Sequence, residues 1–179
     1  MSIITKKGDK GMTSLYYGEQ ISKDDPRVET YGTLDELCSF LGLSKSLIKD
    51  QKNKKLIEAI QRDLFVIGAE LATKPAFLGK LEKRIDKSYI DRLEKIIEGL
   101  EKKRAFKECC FYLPGENLVS GTLDISRTVA RRAERLGVTL KRKGKLSNNF
   151  ILIYLNRLSD LLYLLARAYG KNHRKLKLR

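Results

Sequence analysis

Apolar residues recur every three or four positions along most of the chain, which is the spacing of one face of an α-helix. The first run follows Asp25-Pro26, a pair typical of a helix N-cap followed by proline at the first helical position. The predicted helices begin after Asp25, span 56–71, begin at Asp86, include 123–136 and span 149–169. Five such helices, with almost no alternating strand pattern, predict an all-α fold, a five-helix bundle.

The remaining segments are predicted to connect or flank these helices. Residues 1–25 are loop-like, 26–169 form the bundle and 170–179 form a basic tail, all within one domain over 1–179. Connectors are predicted at 49–55 and 141–149, and Pro75 to Gly79 should break the second helix. The fifth run is apolar around most of its circumference, so we expect it at the centre of the bundle rather than across a membrane.

Composition limits the possible chemistry. The chain has 37 Lys and Arg against 22 Asp and Glu, a net charge of +15, which favours polyanions such as nucleotides, nucleic acid or acidic membranes. The one histidine, His173, argues against a Ser-His-Asp triad or a histidine zinc site. Three cysteines with no CxxC spacing are no disulfide framework, which favours the cytoplasm.

The N-terminal segment from Thr5 to Ser14 contains the parts of a phosphate cradle. Its glycines let backbone N–H groups approach an anion, its lysines add charge, and two hydroxyls add donors. The residues concerned are Thr5, Lys6, Lys7, Gly8, Thr13 and Ser14. The P-loop spacing is absent, and on pattern alone a flexible basic N-terminus is the alternative.

A row of arginines marks the fourth helix. Arg127, Arg131 and Arg135 are four residues apart and therefore share one helical face, while Glu134 could hold one guanidinium in position. The row is either a solvated stripe or a surface that faces a polyphosphate.

Three further polar or aromatic positions have two possible interpretations. Asn156 and its neighbours interrupt the most apolar helix, where they either satisfy one another or line a site. Asp35 in the first helix could pair with an arginine. Phe111, before a Pro-Gly turn, either packs in the core or forms the wall of an apolar ligand pocket.

Six segments occur in a characteristic order from Thr5 to Tyr169. They are Thr5-Lys-Lys-Gly-Asp-Lys-Gly-Met-Thr-Ser, Ser22-Lys-Asp-Asp, Tyr31-Gly-Thr-Leu-Asp-Glu-Leu, Phe111-Tyr-Leu-Pro-Gly, Arg127-Thr-Val-Ala-Arg-Arg-Ala-Glu-Arg and Tyr154-Leu-Asn-Arg-Leu-Ser-Asp. Each is weak alone, but the ordered set resembles the PduO-type ATP:cob(I)alamin adenosyltransferase family. The resemblance implies a homotrimeric five-helix bundle with active sites between subunits. It also implies transfer of the 5′-deoxyadenosyl group of ATP to cobalt, giving adenosylcobalamin and triphosphate.

The resemblance also implies roles for particular residues. The ATP-binding set is Thr5, Lys6, Lys7, Gly8, Thr13, Ser14, Lys23, Arg131, Arg132, Glu134, Arg135 and Asn156. Asp35 and Arg127 are expected to pair across neighbouring subunits and shape the catalytic site. Phe111 is expected to bind cobalamin and help displace its lower axial ligand. Cys38, Lys7 and Glu116 depart from the family pattern at positions next to the site.

The implied chemistry agrees with the composition. Cob(I)alamin is itself a strong nucleophile, so the protein need not supply one, while Mg²⁺ and the basic residues would stabilise the leaving triphosphate. A separate reductant is implied, and an adenosylcobalamin-dependent enzyme could accept the product. The alternatives are a related bundle that binds without turnover and a nucleic-acid-binding protein, although no nucleic-acid-binding motif is present.

Overall fold

The computed structural model describes residue 4 and residues 6–102 and 112–170. Within those ranges the chain forms two short strands, five α-helices and one 3-10 helix. They are β1 (Met12–Ser14), β2 (Gln20–Ser22), α1 (Pro26–Leu47), α2 (Gln51–Leu71), the 3-10 helix (Pro75–Lys80), α3 (Lys87–Glu101), α4 (Leu118–Arg142) and α5 (Asn149–Tyr169). The predicted, mainly helical fold is confirmed.

Each of these α-helices begins after an Asp or Asn that caps it. The cap side chain accepts a hydrogen bond from a backbone N–H of the first turn, a donor that the helix itself leaves unsatisfied. The caps are Asp25, Asp50, Asp86, Asn117 and Asn148. The predicted helix starts after Asp25, at Asp86 and at 149 are therefore confirmed to within one residue.

Two predicted connectors are shorter than expected. α2 begins at Gln51, so most of the predicted connector 49–55 is helical. Asp50 caps two N–H groups and so starts this helix at residue 51. The apolar face of the helix begins only at Leu56, and the prediction therefore placed the start of the helix there. α4 continues to Arg142, inside the predicted loop 141–149. The predicted break after the second helix is present, and it contains the 3-10 helix.

Part of the N-terminal segment that was predicted as loop is a hairpin. β1 and β2 pair antiparallel, with Thr13 opposite Ile21. Three residues per strand are too few to show an alternating pattern, so the sequence prediction missed them. The hairpin is joined to the end of α2, because the Tyr16 N–H donates to the Ala72 carbonyl at 2.9 Å.

The helices enclose one apolar core. α1 packs against α2 and α4, and α5 packs against α3 and α4. More than half of α5 is buried, including Leu155 and Leu158 with no exposed surface, in agreement with its predicted central position. Among the described residues, α5 is long and apolar enough to cross a membrane by length and composition. However, 56% of its most apolar stretch is buried inside the protein, as in a core helix.

Buried polar groups lock three helices together. The Tyr154 hydroxyl of α5 donates to Oδ2 of Asp63 in α2 at 2.5 Å, and Arg92 of α3 pairs with the same carboxylate. Burial, together with the neighbouring carboxylate of Asp63, raises the pKa of Tyr154 well above its usual value. The phenol therefore stays protonated and continues to donate.

A further ion pair joins the loop after α4 to the start of α1. Lys145 Nζ donates to Oδ2 of Asp25, the α1 cap, at 2.8 Å. Burial raises the pKa of Asp25, but the hydrogen bonds from Lys145 and from the Arg27 N–H outweigh it, and the net pKa lies below 3.8.

We expect Lys145→Met to lower the free energy of unfolding by about 0.5–1 kcal/mol at pH 7, the usual value of a partly exposed ion pair. Because the folded pKa of Asp25 is depressed, this stabilisation is present above 3.8 and is lost as the pH falls through the lower folded value. Urea unfolding at pH 7 and at about pH 2.5 measures it. Lys95→Met, at an exposed α3 lysine, is the control. An equal loss at both pH values would contradict the assignment.

Candidate active site

The turn before β1 brings together predicted phosphate-binding residues. Lys6 and Gly11 have φ angles of 55° and 76°, in the left-handed region, so the chain turns tightly here. The Gly11 N–H donates to the Gly8 carbonyl at 3.2 Å. A Cβ at Gly8 would lie 3.0 Å from Nζ of Lys23, so the lysine ammonium rests directly on this glycine.

The two predicted hydroxyl donors lie on β1. Ser14 Oγ accepts a hydrogen bond from Gln20 Nε2 at 2.6 Å, across the hairpin. The Thr13 side chain is hydrogen bonded to Tyr31 of α1, whose pKa is raised by burial. These contacts fix both hydroxyls close to the turn. Lys7 is exposed, and Thr5 lies outside the described residues.

A second group of predicted residues surrounds a cavity between α3, α4 and α5. The cavity has a volume of about 500 Å³, within the range of small-molecule sites. It is lined by Glu94, Ile97, Glu98, Glu101, Arg127, Arg131, Arg157, Ser159, Asp160, Tyr163 and Leu164. Arg127 and Arg131 thus lie on one wall, as their spacing predicted. None of the N-terminal residues that the structure describes lines this cavity.

A chain of hydrogen bonds holds Asn156 in this region. Its Nδ2 donates to Glu134 Oε1 at 3.2 Å, and its Oδ1 accepts from Arg157 Nη1 at 3.0 Å. Arg157 Nε in turn donates to Glu94 Oε1 of α3 at 2.8 Å. The structure therefore brings together two residues of the predicted ATP-binding set, Glu134 and Asn156. Arg157 was one of the neighbours of Asn156 that were predicted either to satisfy one another or to line a site, and it does both. Glu94 is a residue that the sequence prediction missed.

Asp160 is another wall residue, and it belongs to the polar positions near Asn156 that were predicted either to satisfy one another or to line a site. Burial raises the pKa of its carboxyl, and Arg157 and Arg131 act in the opposite direction. A charged residue in the most apolar helix, four residues after Asn156 and therefore on the same helical face, was the sequence signal for this wall.

The other two predicted arginines are placed differently from Arg131. Arg132 faces α1, where it pairs with Glu36, and it does not line the cavity. Arg135 is exposed, and its Nη1 donates to the Arg131 carbonyl at 3.2 Å. Of the predicted arginine set, therefore, only Arg127 and Arg131 share the cavity wall.

The predicted pair of Asp35 and Arg127 is not brought together within one chain. Asp35 lines a groove of about 290 Å³ between α1 and α2, with Tyr31 and Phe65 among its neighbours. Arg127 instead donates from Nε to Oδ1 of Asp124 at 3.3 Å. Phe111 lies outside the described residues.

Comparison with known proteins assigns the chain to a family. The sequence model of the family described as cobalamin adenosyltransferase matches residues 3–169. The chain belongs to this family. A corrinoid adenosyltransferase of Citrobacter freundii is 41% identical over 166 residues, which cover 92% of this chain and 93% of that protein. The corrinoid adenosyltransferase PduO of Salmonella typhimurium is 42% identical over 168 residues, and the chain spans about half (49%) of its length.

Solved structures of this family also resemble the fold. One is a variant of the PduO-type ATP:corrinoid adenosyltransferase of Lactobacillus reuteri complexed with cobalamin and ATP. It has a TM-score of 0.86 and 37% identity, covering 93% of this chain and 92% of that one. A second variant, complexed with ATP, has a TM-score of 0.83 and 38% identity.

We expect Arg131→Ala to lower kcat/KM for adenosyl transfer about 100-fold, because the cavity wall loses a cation that would stabilise the leaving phosphates. Circular dichroism and the urea midpoint should stay close to wild type, since Arg131 is exposed. Arg62→Ala, at an exposed arginine of α2 paired with Glu58, is the matched control and should have normal kinetics. Normal kinetics in Arg131→Ala would remove it from the site.

Proposed function

We propose that this corrinoid adenosyltransferase transfers the 5′-deoxyadenosyl group of ATP to cob(I)alamin or another reduced corrinoid. Triphosphate leaves, and adenosylcobalamin is the product. The observation that carries this proposal is the family match over residues 3–169, together with a family structure that contains both cobalamin and ATP. The charged cavity between α3, α4 and α5 and the basic turn at Gly8 support it.

Two basic groups would bind the triphosphate. One is the turn at Gly8, with Lys6, Lys7 and Lys23, and the other is Arg131 on the cavity wall. Fixed cations of this kind stabilise a polyanionic leaving group as its charge develops. The hydrogen bonds to Glu134 and Arg157 orient the amide of Asn156, so that it can recognise the nucleotide.

Mg²⁺ would enter with the nucleotide. Within the described ranges, no cluster of three His, Cys, Asp or Glu side chains is placed to hold a metal ion. Mg²⁺ does not require a cluster of this kind, because it commonly binds through substrate phosphates, one or two carboxylates and water. Glu134, which is hydrogen bonded to Asn156, is one carboxylate next to the proposed nucleotide site, and the ion would neutralise charge on the departing phosphates.

The protein would supply no nucleophile. Burial raises the pKa of the Cys38 thiol, so at neutral pH it is protonated and weakly reactive. The reduced cobalt of the substrate attacks the 5′ carbon of ATP instead. We propose that Phe111 excludes the lower ligand of cobalamin from an apolar space, which makes the preceding reduction easier. A separate reductant would deliver the electron, and an adenosylcobalamin-dependent enzyme would accept the product.

We further propose that the active site forms between adjacent subunits of a homotrimer in the cytoplasm. Two observations support a shared site. The cavity that Arg127 and Arg131 line is contacted by no residue of the described N-terminal segment, residue 4 and residues 6–25. Asp35 lines a different groove from Arg127, so a pair between them would need a second chain.

The test is an anaerobic assay with purified protein, Mg·ATP and chemically reduced cobalamin. We expect the absorption spectrum of cob(I)alamin to convert to that of adenosylcobalamin, with one triphosphate released per cobalt–carbon bond. A reaction without ATP is the control and should form no cobalt–carbon product. Failure to form a cobalt–carbon product under reducing conditions would refute the proposed function.

A further inference from the structure

Arg167 is a buried cation near the end of α5, with 1% of its side chain exposed. Its Nη2 pairs with the Asp124 carboxylate of α4, and its Nη1 lies 3.8 Å from Oε1 of Glu116. The guanidinium also lies 5.8 Å from the ring centroid of Tyr163. Burying a guanidinium is costly unless carboxylates and hydrogen bonds compensate it, so these partners determine its position.

Asp124 is shared between two guanidiniums. One oxygen faces Arg167, and the other accepts the hydrogen bond from Nε of Arg127 at 3.3 Å. Only 7% of the Asp124 side chain is exposed, so water screens its charge much less than at the surface. The contact to Arg127 uses the Nε–H alone. Asp124 therefore holds the guanidinium through its Nε–H and leaves the two terminal amino groups outside this contact, beside the cavity that Arg127 lines.

Arg167 also holds the segment that precedes α4. Its Nη1 reaches the Leu113 carbonyl at 3.5 Å. Next to this contact, Nδ2 of Asn117 donates to the Tyr169 carbonyl at 2.7 Å, so the segment is fastened to the end of α5 at two points. The residue two positions before Leu113 in the sequence is Phe111.

We propose that Arg167 and Asp124 are positioning residues of the adenosyl-transfer site. Asp124 orients the guanidinium of Arg127 toward the cavity. Arg167 keeps Asp124 in place and fastens the segment that follows Phe111, so one buried cation positions two parts of the site. This proposal rests on the function proposed above. Neither residue is expected to touch ATP or the corrinoid.

The kinetic test compares Asp124→Asn with Asp63→Asn. Both positions are buried carboxylates paired with an arginine, with 7% and 6% of their side chains exposed, but Asp63 pairs with Arg92 away from the cavity. We expect both variants to lose stability in urea. Asp124→Asn alone should lower kcat/KM about 10- to 100-fold, because small misplacements of a reacting group have effects of this size.

A double-variant cycle separates positioning from general destabilisation. If Asp124 acts through Arg127, the pair Asp124→Asn with Arg127→Ala should be no slower than Arg127→Ala alone. Multiplicative losses in the double variant, or an equal loss of kcat/KM in Asp63→Asn, would overturn the positioning role.

Amide hydrogen exchange tests the fastening without any assay of activity. We expect Arg167→Met to speed exchange in residues 112–117 about 10-fold or more, while α2 amides stay near wild type. Arg167→Lys keeps the positive charge but has fewer hydrogen-bond donors, so we expect an exchange rate between those of wild type and Arg167→Met. This variant provides the measurement if Arg167→Met does not fold. Unchanged exchange in both variants would overturn the proposal. An inactive wild type with faster exchange in the variants would refute the function but not the fastening.

Discussion

Four arginines lie within nine positions of α4, and their positive charges repel one another unless each is compensated. Two of the four are paired with carboxylates, one from a neighbouring helix and one from α4 itself. Glu36 of α1 pairs with Arg132, and Asp124 in the same helix pairs with Arg127. Arg131 has no ion pair to another described residue, and it lies on the wall of the cavity. The charges around α4 therefore leave Arg131 available to the triphosphate that we propose binds in this cavity.

The same balance extends into the core through Asp124. A carboxylate that serves both Arg127 and the buried Arg167 connects the cavity wall to the end of α5 and to the segment before α4. This pairing explains why the most apolar helix of the protein carries an arginine with almost no exposed surface. A second buried carboxylate, Asp63 of α2, joins α5 and α3 in a similar way. It accepts a hydrogen bond from Tyr154 of α5 and pairs with Arg92 of α3.

Helix positions were predictable where capping and apolar spacing agreed, as at Asp25 and Asp86, because both signals are local. The start of α2 was missed since its first turn has no apolar face, and the hairpin was missed because its strands are too short for a pattern. Helical spacing placed Arg127 and Arg131 on one wall correctly. It could not show that Arg132 faces Glu36, since that contact depends on how α1 and α4 pack.

We propose that each chain carries two parts of an active site that only a second subunit completes. The test of a shared site uses two variants, Lys23→Ala and Arg131→Ala, each of which we expect to lose most of its activity alone. The two are mixed, denatured and refolded together. Random trimers should recover about a quarter of wild-type activity, because that share of interfaces unites an intact turn with an intact α4. Mixing Arg131→Ala with Asn156→Ala, which damages the same part twice, should recover none. A lack of recovery in the first mixture, with trimers formed, would show that each chain builds its site alone.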